Sequence, residues 1–312
     1  MTKPVLEVEG LSISFTQYEK GVRQRSLPVI RNLDLTIQPG QVVAVVGSSG
    51  SGKSLLAHGI LGILPYNARQ SGRIRYRGEP LTPRRAEELR GRELVLIPQS
   101  VGYLDPLMQV GPQIRKGRRD PASRARSREI LGRYHLGSEV EALYPFELSG
   151  GMTRRVLIST AVAEAPSLVI ADEPTPGLDP RSLHHIMDHF REIADSGAGL
   201  LLITHDLEAA LAIADRVAVF YAGETIEEAP ASDFEAEETL RHPYTRALWR
   251  AMPQHGFQPI PGAQPYPGAV TQGCPFFPRC PRRTAECGGA VAYRPVEGGF
   301  VRCLHPERGA EA

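Results

Sequence analysis

The sequence contains no apolar run approaching the roughly 20 residues that a helix needs to span a bilayer. It also lacks an excess of charge, because 36 Lys and Arg residues stand against 35 Asp and Glu residues. A balanced charge provides no field that attracts nucleic acid or acidic lipid, so we expect no nucleic-acid partner. The first residues lack the apolar core of a secretory signal. We therefore expect a protein that stays in the cytosol and reaches a membrane only through partners.

Cysteine is missing from most of the chain, and all four cysteines lie in the last 40 residues: Cys274, Cys280, Cys287 and Cys303. Because structural disulfides are rare in the cytosol, this clustering indicates a metal or iron–sulfur site. The spacing Cys-x5-Cys-x6-Cys-x15-Cys is looser than the C-x2-C pairs usual for structural zinc. Four thiolates in one short segment suit a [4Fe–4S] cluster. Zinc and free structural cysteines are the alternatives.

The first three quarters of the chain alternate between β-branched runs and helical patterns, which predicts an α/β fold for residues 5 to about 230. Three nearly continuous apolar runs predict strands that are buried on both faces. They are Gln41–Val46, Ser167–Ala171 and Gly199–Ile203. Helical periodicity follows from Lys53 to near Pro65. The pair Asp179-Pro180 predicts an N-cap followed by proline at the first position of a helix that runs to about Asp195.

The chain divides by composition into a large domain, 1–252, and a C-terminal extension, 253–312. Within the large domain, an arginine-rich helical subdomain is predicted over about 100–165. Its basic stretch, from Arg115 to Arg133, is interpreted as a solvated helical face, with a surface near a membrane partner as the alternative. Repeated Pro and Gly after Met252 exclude a long helix, so this stretch is interpreted as a linker to the cysteine-bearing module.

A glycine-rich loop between the first buried strand and the next helix fits the pattern G-x-x-x-x-G-K-S. The loop consists of Gly47, Ser48, Ser49, Gly50, Ser51, Gly52, Lys53 and Ser54. In this context the backbone N–H groups and the helix N-terminus bind phosphate. Lys53 is expected to reach the β- and γ-phosphates of ATP, and the Ser54 hydroxyl to bind Mg²⁺.

A second acidic signal follows the strand at 167–171, where Asp172 and Glu173 stand together. We expect Asp172 to hold the Mg²⁺ shell and Glu173 to act as the general base toward the attacking water. A third signal is the sequence Leu-Ser-Gly-Gly-Met, which precedes a helical run from Thr153 to Ala165. Ser149 is predicted to cap this helix, and Gly150 and Gly151 to let a phosphate approach its N-terminus.

These three motifs, in this order and spacing, resemble the ATPases of ABC transporters. The resemblance implies roles for further residues. Gln99 matches the Q-loop glutamine, which contacts Mg²⁺ or water. Asp179 matches the D-loop aspartate at the dimer seam, and His205 matches the switch histidine that contacts the γ-phosphate. Phe15 stands where the family places an aromatic ring on adenine, with Tyr18 as a nearby competitor.

In this family two subunits enclose two ATP molecules head to tail, so each ATP contacts the P-loop of one subunit and the signature of the other. Met152 occupies the fifth signature position, where glutamine is usual. Methionine lacks the hydrogen-bonding groups of an amide. This difference predicts two unlike ATP sites, and hence a heterodimer with a second ABC ATPase subunit.

The C-terminal part narrows the type of transporter. Arg241–Leu248 and the segments around Cys274, Cys280 and Cys303 resemble the C-terminal extension of oligopeptide, dipeptide and nickel importer ATPases. That resemblance also implies the [4Fe–4S] cluster. It predicts an ATP-hydrolysing subunit of an importer for peptides, nickel or metal–chelator complexes. The expected partners are two permease subunits and an extracytoplasmic substrate-binding protein, with the ATPase at the cytoplasmic face of the inner membrane.

Three other functional classes compete with an importer ATPase. A soluble ABC protein of ribosomes or DNA repair usually carries two cassettes or a long coiled-coil insertion, and neither is found here. An exporter ATPase is disfavoured by the C-terminal extension. An iron–sulfur regulatory protein, in which ATP is secondary, is the remaining alternative.

Overall fold

The protein is described by a computed structural model that covers residues 3–18, 23–48, 50–266, 269 and 272–307. Its strands are β1 (Leu6–Tyr18), β2 (Gln24–Ile37), β3 (Val42–Val46), β4 (Ala68–Tyr76), β5 (Glu79–Pro80), β6 (Leu94–Ile97), β7 (Leu168–Asp172), β8 (Gly199–Thr204), β9 (Arg216–Tyr221), β10 (Glu224–Pro230), β11 (Arg294–Val296) and β12 (Gly299–Val301). Its α-helices are α1 (Lys53–Leu61), α2 (Pro83–Leu89), α3 (Val110–Ile114), α4 (Pro121–Arg133), α5 (Gly150–Val162), α6 (Pro180–Asp195), α7 (Leu207–Leu211) and α8 (Pro243–Arg250).

The larger of two sheets has the strand order β11-β12-β10-β9-β3-β8-β7-β6. Its central strands β9, β3, β8, β7 and β6 run parallel, whereas β10, β12 and β11 continue the sheet by antiparallel pairing. The α/β fold predicted from the sequence is confirmed. The parallel strands all end at one edge of the sheet, so the loops that follow them lie near one another.

Strand β3 lies between β9 and β8 inside the larger sheet, and all five of its residues are buried. Successive side chains point to opposite faces of a sheet. Accordingly Val42, Ala44 and Val46 join the hydrophobic core on one face, and Val43 and Val45 join the core on the other. Both cores therefore fix the strand that leads into the glycine-rich loop.

A smaller antiparallel sheet, with the order β2-β1-β4-β5, covers the second of these cores. Helix α1 also packs there, through Leu56 and Ile60. The sequence predicted this helix to run to near Pro65, but it ends at Leu61. Gly62, with φ of 64°, adopts the left-handed conformation at the helix C-terminus and ends the helix there.

The helices of the central region agree with the sequence in position but differ at their ends. The apolar signature helix, α5, runs from Gly150 to Val162, so it begins and ends three residues before the predicted run. Helix α6 begins at Pro180 after the predicted N-cap Asp179, whose side chain accepts hydrogen bonds from the backbone of Arg181 and Ser182. None of the helices in the described ranges is long and apolar enough to cross a membrane.

The basic stretch from Arg115 to Arg133 spans the loop after α3 and then helix α4, and it is largely paired with acidic side chains. Arg115 and Arg128 contact Glu141, while Lys116 and Arg118 contact Glu164. These pairs balance much of the local positive charge. The predicted helical face is helical only from Pro121 onward, because the first part of the stretch is a loop.

The C-terminal extension is joined to the larger sheet through β12, which pairs with β10. A second attachment is the buried Arg241, whose guanidinium donates a hydrogen bond to the carbonyl oxygen of Glu297 in the extension. The carboxylate of Glu227 holds this segment in place, because it accepts hydrogen bonds from the backbone N–H groups of Arg241 and His242 at 2.8 and 2.7 Å. The guanidinium of Arg241 lies 2.7 Å from Asp233 and 3.5 Å from Glu227. The extension thus continues the sheet of the large domain, a connection that the sequence did not predict.

Candidate functional site

The glycine-rich loop connects β3 to α1 and has the backbone conformation that its glycines permit. Gly50 and Gly52 have φ values of 76° and 96°, which side-chain-bearing residues rarely adopt. A Cβ atom on Gly47 would stand 2.2 Å from the carbonyl oxygen of Phe220 in β9, so only glycine fits there. Ser49 lies outside the described residues.

Lys53 is buried at the first turn of α1, with 6% of its surface exposed. Its ammonium group donates hydrogen bonds to the carbonyl oxygens of Gly47, at 2.7 Å, and Ser48, at 3.0 Å. Burial lowers the pKa of Lys53, and the carboxylates of Glu173 and Asp172 oppose that effect. A lysine held within a glycine-rich loop supplies the positive charge that a phosphate site requires.

Ser54 and Asp172 meet although they are 118 residues apart. The Ser54 hydroxyl donates to the Asp172 carboxylate at 3.1 Å. Burial raises the pKa of Asp172, while the hydrogen bond from Ser54 opposes the rise. A hydroxyl and a carboxylate are the oxygen ligands that Mg²⁺ prefers, so these two side chains fit the predicted ion in donor type and position.

Glu173 follows β7 directly and has an unusual backbone conformation for a residue with a side chain, with φ of 46°. Such strain costs on the order of 1–3 kcal/mol and is often found at functional sites. Its carboxylate lies 2.8 Å from Nδ1 of His205 and accepts a longer bond from the Thr204 hydroxyl. Glu173 is thus held by the end of the neighbouring strand β8.

Gln99 is exposed beyond β6, and its loop is fixed by a residue that the sequence did not single out. The buried Arg154 of α5 donates to the carbonyl oxygens of Pro98, at 2.9 Å, and Gln99, at 2.6 Å. Arg154 therefore ties the Gln99 loop to the signature helix. Arg154 is one of several arginines in this stretch, and no sequence pattern distinguished it from the others.

The signature lies at the surface, at the N-terminus of α5. The Ser149 hydroxyl accepts a hydrogen bond from the backbone N–H of Met152 at 3.3 Å, as predicted for a helix cap. Gly150 is exposed, and no described atom lies within 4 Å of the place where its Cβ would stand. Gly151 is half-buried, and the nearest atom to its Cβ position is the Gly177 carbonyl oxygen at 3.9 Å. This helix end is open to a group from outside the chain.

The remaining predicted side chains lie on separate elements. Asp179 is exposed, and hydrogen bonds from Ser182 lower the pKa of its carboxyl. Phe15 on β1 is half-buried and packs against the core beneath the smaller sheet. Tyr18, at the end of the same strand, is 70% exposed, so its ring is the more available of the two for stacking.

All four cysteines line one small cavity, which also contains His242 and His305. Burial raises the pKa of Cys274 to about 12 and of Cys303 to about 11, and the neighbouring thiols add to both effects. Among the described residues no group of three or more His, Cys, Asp or Glu side chains stands at metal-ligating positions. The four thiols therefore line one cavity, but their sulfur atoms do not converge on a common metal-binding position.

The structure thus assembles Lys53, Ser54, Asp172, Glu173 and His205 at one edge of the larger sheet. The signature residues lie at the N-terminal end of α5, and Asp179 is exposed at the N-terminal end of α6. A glycine-rich phosphate loop beside two strand-end carboxylates, on a sheet with a helical subdomain that bears the signature, defines the nucleotide-binding cassette of ABC proteins.

Comparison with known proteins extends this assignment. The family model "ABC transporter" matches residues 30–176, and "Oligopeptide/dipeptide transporter, C-terminal region" matches residues 226–287. The dipeptide transport ATP-binding protein DppD of Bacillus subtilis is 34% identical over 91% of this chain and 88% of its own length. The oligopeptide transport ATP-binding protein OppD of Mycobacterium tuberculosis is 37% identical over 91% of this chain. This chain spans only about half of that OppD, 48% of its length.

A solved structure of an ATP-binding subunit of an ABC transporter superposes with a TM-score of 0.61 at 26% identity. It covers 74% of this chain and 92% of its own. The chain belongs to the ABC transporter ATP-binding family, in the group that carries the oligopeptide/dipeptide transporter C-terminal region.

Proposed function

We propose that the chain binds and hydrolyses ATP and thereby drives a membrane importer of peptides. The observation that carries the proposal is the grouping of Lys53, Ser54, Asp172 and Glu173 at one edge of the larger sheet, where Ser54 bonds Asp172 and both carboxylates act on the Lys53 charge. Its positive charge and loop N–H groups suit the phosphates, and its oxygen ligands suit Mg²⁺. When bound, Mg²⁺ neutralises charge on the phosphate oxygens.

Glu173 is the proposed general base. Its carboxylate is 6% exposed and is oriented by His205 at 2.8 Å, so it is fixed before a water molecule arrives. A fixed carboxylate can accept a proton from water as that water attacks the γ-phosphate. His205 is half exposed, which leaves part of its ring available to the phosphate side of the site.

Replacing Glu173 with Gln keeps the shape of the side chain but removes the proton acceptor. We expect the ATPase rate to fall by about 100-fold or more, while ATP binding stays near that of the wild-type protein. Phosphate release and equilibrium binding of ATP measure the two quantities. Glu208→Gln, an exposed carboxylate on α7, is the matched control and should leave both unchanged. Hydrolysis by Glu173→Gln at the wild-type rate contradicts the assignment of Glu173 as the base.

A second ATPase chain is the proposed partner at the nucleotide. The exposed Ser149 and Gly150 lie at a helix N-terminus, where the helix dipole favours a phosphate group. The phosphate would belong to an ATP molecule that a second chain binds. In a head-to-tail pair this helix end would contact the ATP of the partner. Because Met152 replaces the usual glutamine, this signature would contact the partner's ATP without the hydrogen bonds of an amide. The two ATP sites would then differ if the partner's signature carries glutamine, which supports a pair of different chains.

An apolar patch next to the Gln99 loop is the proposed docking surface for the permease subunits. It comprises Val101, Tyr103, Leu107, Met108 and Phe146, which are 37 to 87% exposed. The Gln109 side chain donates to the carbonyl oxygen of Ala142 at 2.9 Å and holds the two parts of the patch together. Through this surface, the ATPase would lie on the cytoplasmic face of the membrane without entering it. Apolar side chains grouped in this way mark an interaction surface.

Phe146→Ser tests this docking surface against Phe257→Ser, because the two rings are 73% and 72% exposed. We expect Phe146→Ser to reduce co-purification with the permease subunits several-fold, since it removes apolar contact area. Phe257 lies in the C-terminal extension, so its replacement should leave co-purification intact. ATP binding by each isolated variant shows that the fold is kept. Equal retention of the permeases by both variants contradicts the proposed surface.

Peptides are the proposed cargo, in preference to nickel or a metal–chelator complex. The support is the match of residues 226–287 to the oligopeptide/dipeptide region, together with relatives that are named for peptide and dipeptide transport. In such systems, cargo selection would lie in a separate binding protein. Peptide-stimulated ATPase activity of the reconstituted complex, compared with nickel, distinguishes the two cargoes.

The four thiols are the proposed ligands of a [4Fe–4S] cluster, with zinc as the alternative. The support is their donor type and their shared surroundings, because thiolates ligate such clusters, all four cysteines line one cavity and three of them are buried. A bound cation would compensate the thiolate charge that burial otherwise disfavours. The cluster would supply a cross-link between Cys274, Cys280, Cys287 and Cys303, which lie on loops with little regular structure.

Protein purified without oxygen should contain about four iron atoms per chain if all four thiols bind one [4Fe–4S] cluster. It should also absorb broadly in the blue part of the visible spectrum. Cys287→Ser should lower the iron content and the absorbance together. Ser196→Ala, which lies far from the four cysteines in the sequence, should change neither quantity. Stoichiometric zinc without iron contradicts the cluster and establishes the alternative.

A further inference from the structure

Residues of the C-terminal extension reach the phosphate loop directly. The Ser48 hydroxyl donates a hydrogen bond to the side-chain oxygen of Gln264, which is 216 residues further along the chain. The carbonyl oxygen of the same Ser48 accepts a bond from the Lys53 ammonium at 3.0 Å. Ser48 is therefore held on one side by the loop's own lysine and on the other by the extension.

An aromatic cluster supports the strand that lies beside Ser48. The Tyr244 ring, at the start of α8, is 3% exposed and packs against Tyr221, with ring centroids 4.4 Å apart, and against Phe276 at 5.4 Å. Tyr221 also packs against Phe276, with ring centroids 5.5 Å apart. The end of β9 is thereby held by a cluster that includes a residue of the extension.

Arg279 fixes the linker that carries Gln264. Its guanidinium donates to the carbonyl oxygens of Pro261, at 2.7 Å, and Ile260, at 3.0 Å. The same group donates to the Tyr221 hydroxyl at 3.0 Å. A planar guanidinium with several donors holds such an arrangement with a defined geometry. The linker is thereby anchored to the end of β9 three residues before Gln264.

The phosphate loop packs against this same strand. Gly47 lies so close to Phe220 of β9 that a Cβ atom would not fit between them. Tyr221, the next residue along β9, contacts Phe276 and Arg279 of the extension. One strand therefore supports the loop and the extension side by side, which explains how the extension reaches Ser48.

We propose that Gln264 is a positioning residue for ATP, which holds the beginning of the phosphate loop through Ser48. The orientation of the loop's N–H groups depends on its backbone conformation, so restraint at Ser48 prepares the loop for phosphate. The extension is then part of the nucleotide site as well as a carrier of the cysteines. This inference rests on the proposed function of the loop as an ATP site.

The test is a double-mutant cycle read by equilibrium binding of MgATP to the full chain. Gln264→Ala removes the hydrogen bond to Ser48, and we expect it to weaken binding by about five-fold. In a Ser48→Ala background, the same change should have no further effect, because the partner is already lost. The ATPase KM should rise with little change in kcat, a separation that general destabilisation does not produce.

Gln258→Ala is the matched control, since it removes an exposed glutamine side chain from the same extension. This variant should bind MgATP as the wild-type protein does. Wild-type affinity in Gln264→Ala overturns the inference, and so does a loss that persists undiminished in the Ser48→Ala background. Failure of the wild-type protein to bind ATP overturns the proposed function itself, so the two failures are distinguishable.

Discussion

The parallel pairing of β7, β8 and β3 is the constraint on which the site depends. In this register Val46 lies opposite Thr204, and Asp172 lies opposite Ile203. The loop that follows Val46, the carboxylates at the end of β7 and the histidine after β8 consequently meet at one edge. Burial of β3 between two hydrophobic cores fixes the register, because a shift by one residue would exchange its two faces. The hydrogen bond between Ser54 and Asp172 is a consequence of this alignment.

The same sheet also integrates the C-terminal extension. Strand β12 pairs with β10, and the buried carboxylate of Glu227 binds the two backbone N–H groups at the start of α8. The helix start places His242 in the lining of the cysteine cavity, and Tyr244 against Tyr221 at the end of β9, the strand that packs on the phosphate loop. A short segment, 242–244, thus contacts both the cysteine cavity and the strand beside the phosphate loop.

The sequence predicts the local parts of this molecule well and the distant contacts poorly. Continuous apolar runs were sufficient to locate β3, β7 and β8, and the Asp-Pro pair gave the start of α6. Strands β11 and β12 have three residues each, too few to show a period, and were not predicted. Arg154 and Gln264 act through carbonyl and hydroxyl partners far away in the chain, which no local pattern encodes.

The central claim is that Ser54 and Asp172 form a Mg²⁺ site beside the phosphate loop. Calorimetric titration of ATP, with and without Mg²⁺, tests it most directly. The wild-type chain should bind ATP at least about ten-fold more tightly with Mg²⁺, and Asp172→Asn should lose most of that gain because it removes a charged ligand. Equal ATP affinity of the wild-type protein in the presence and absence of Mg²⁺ would contradict the claim.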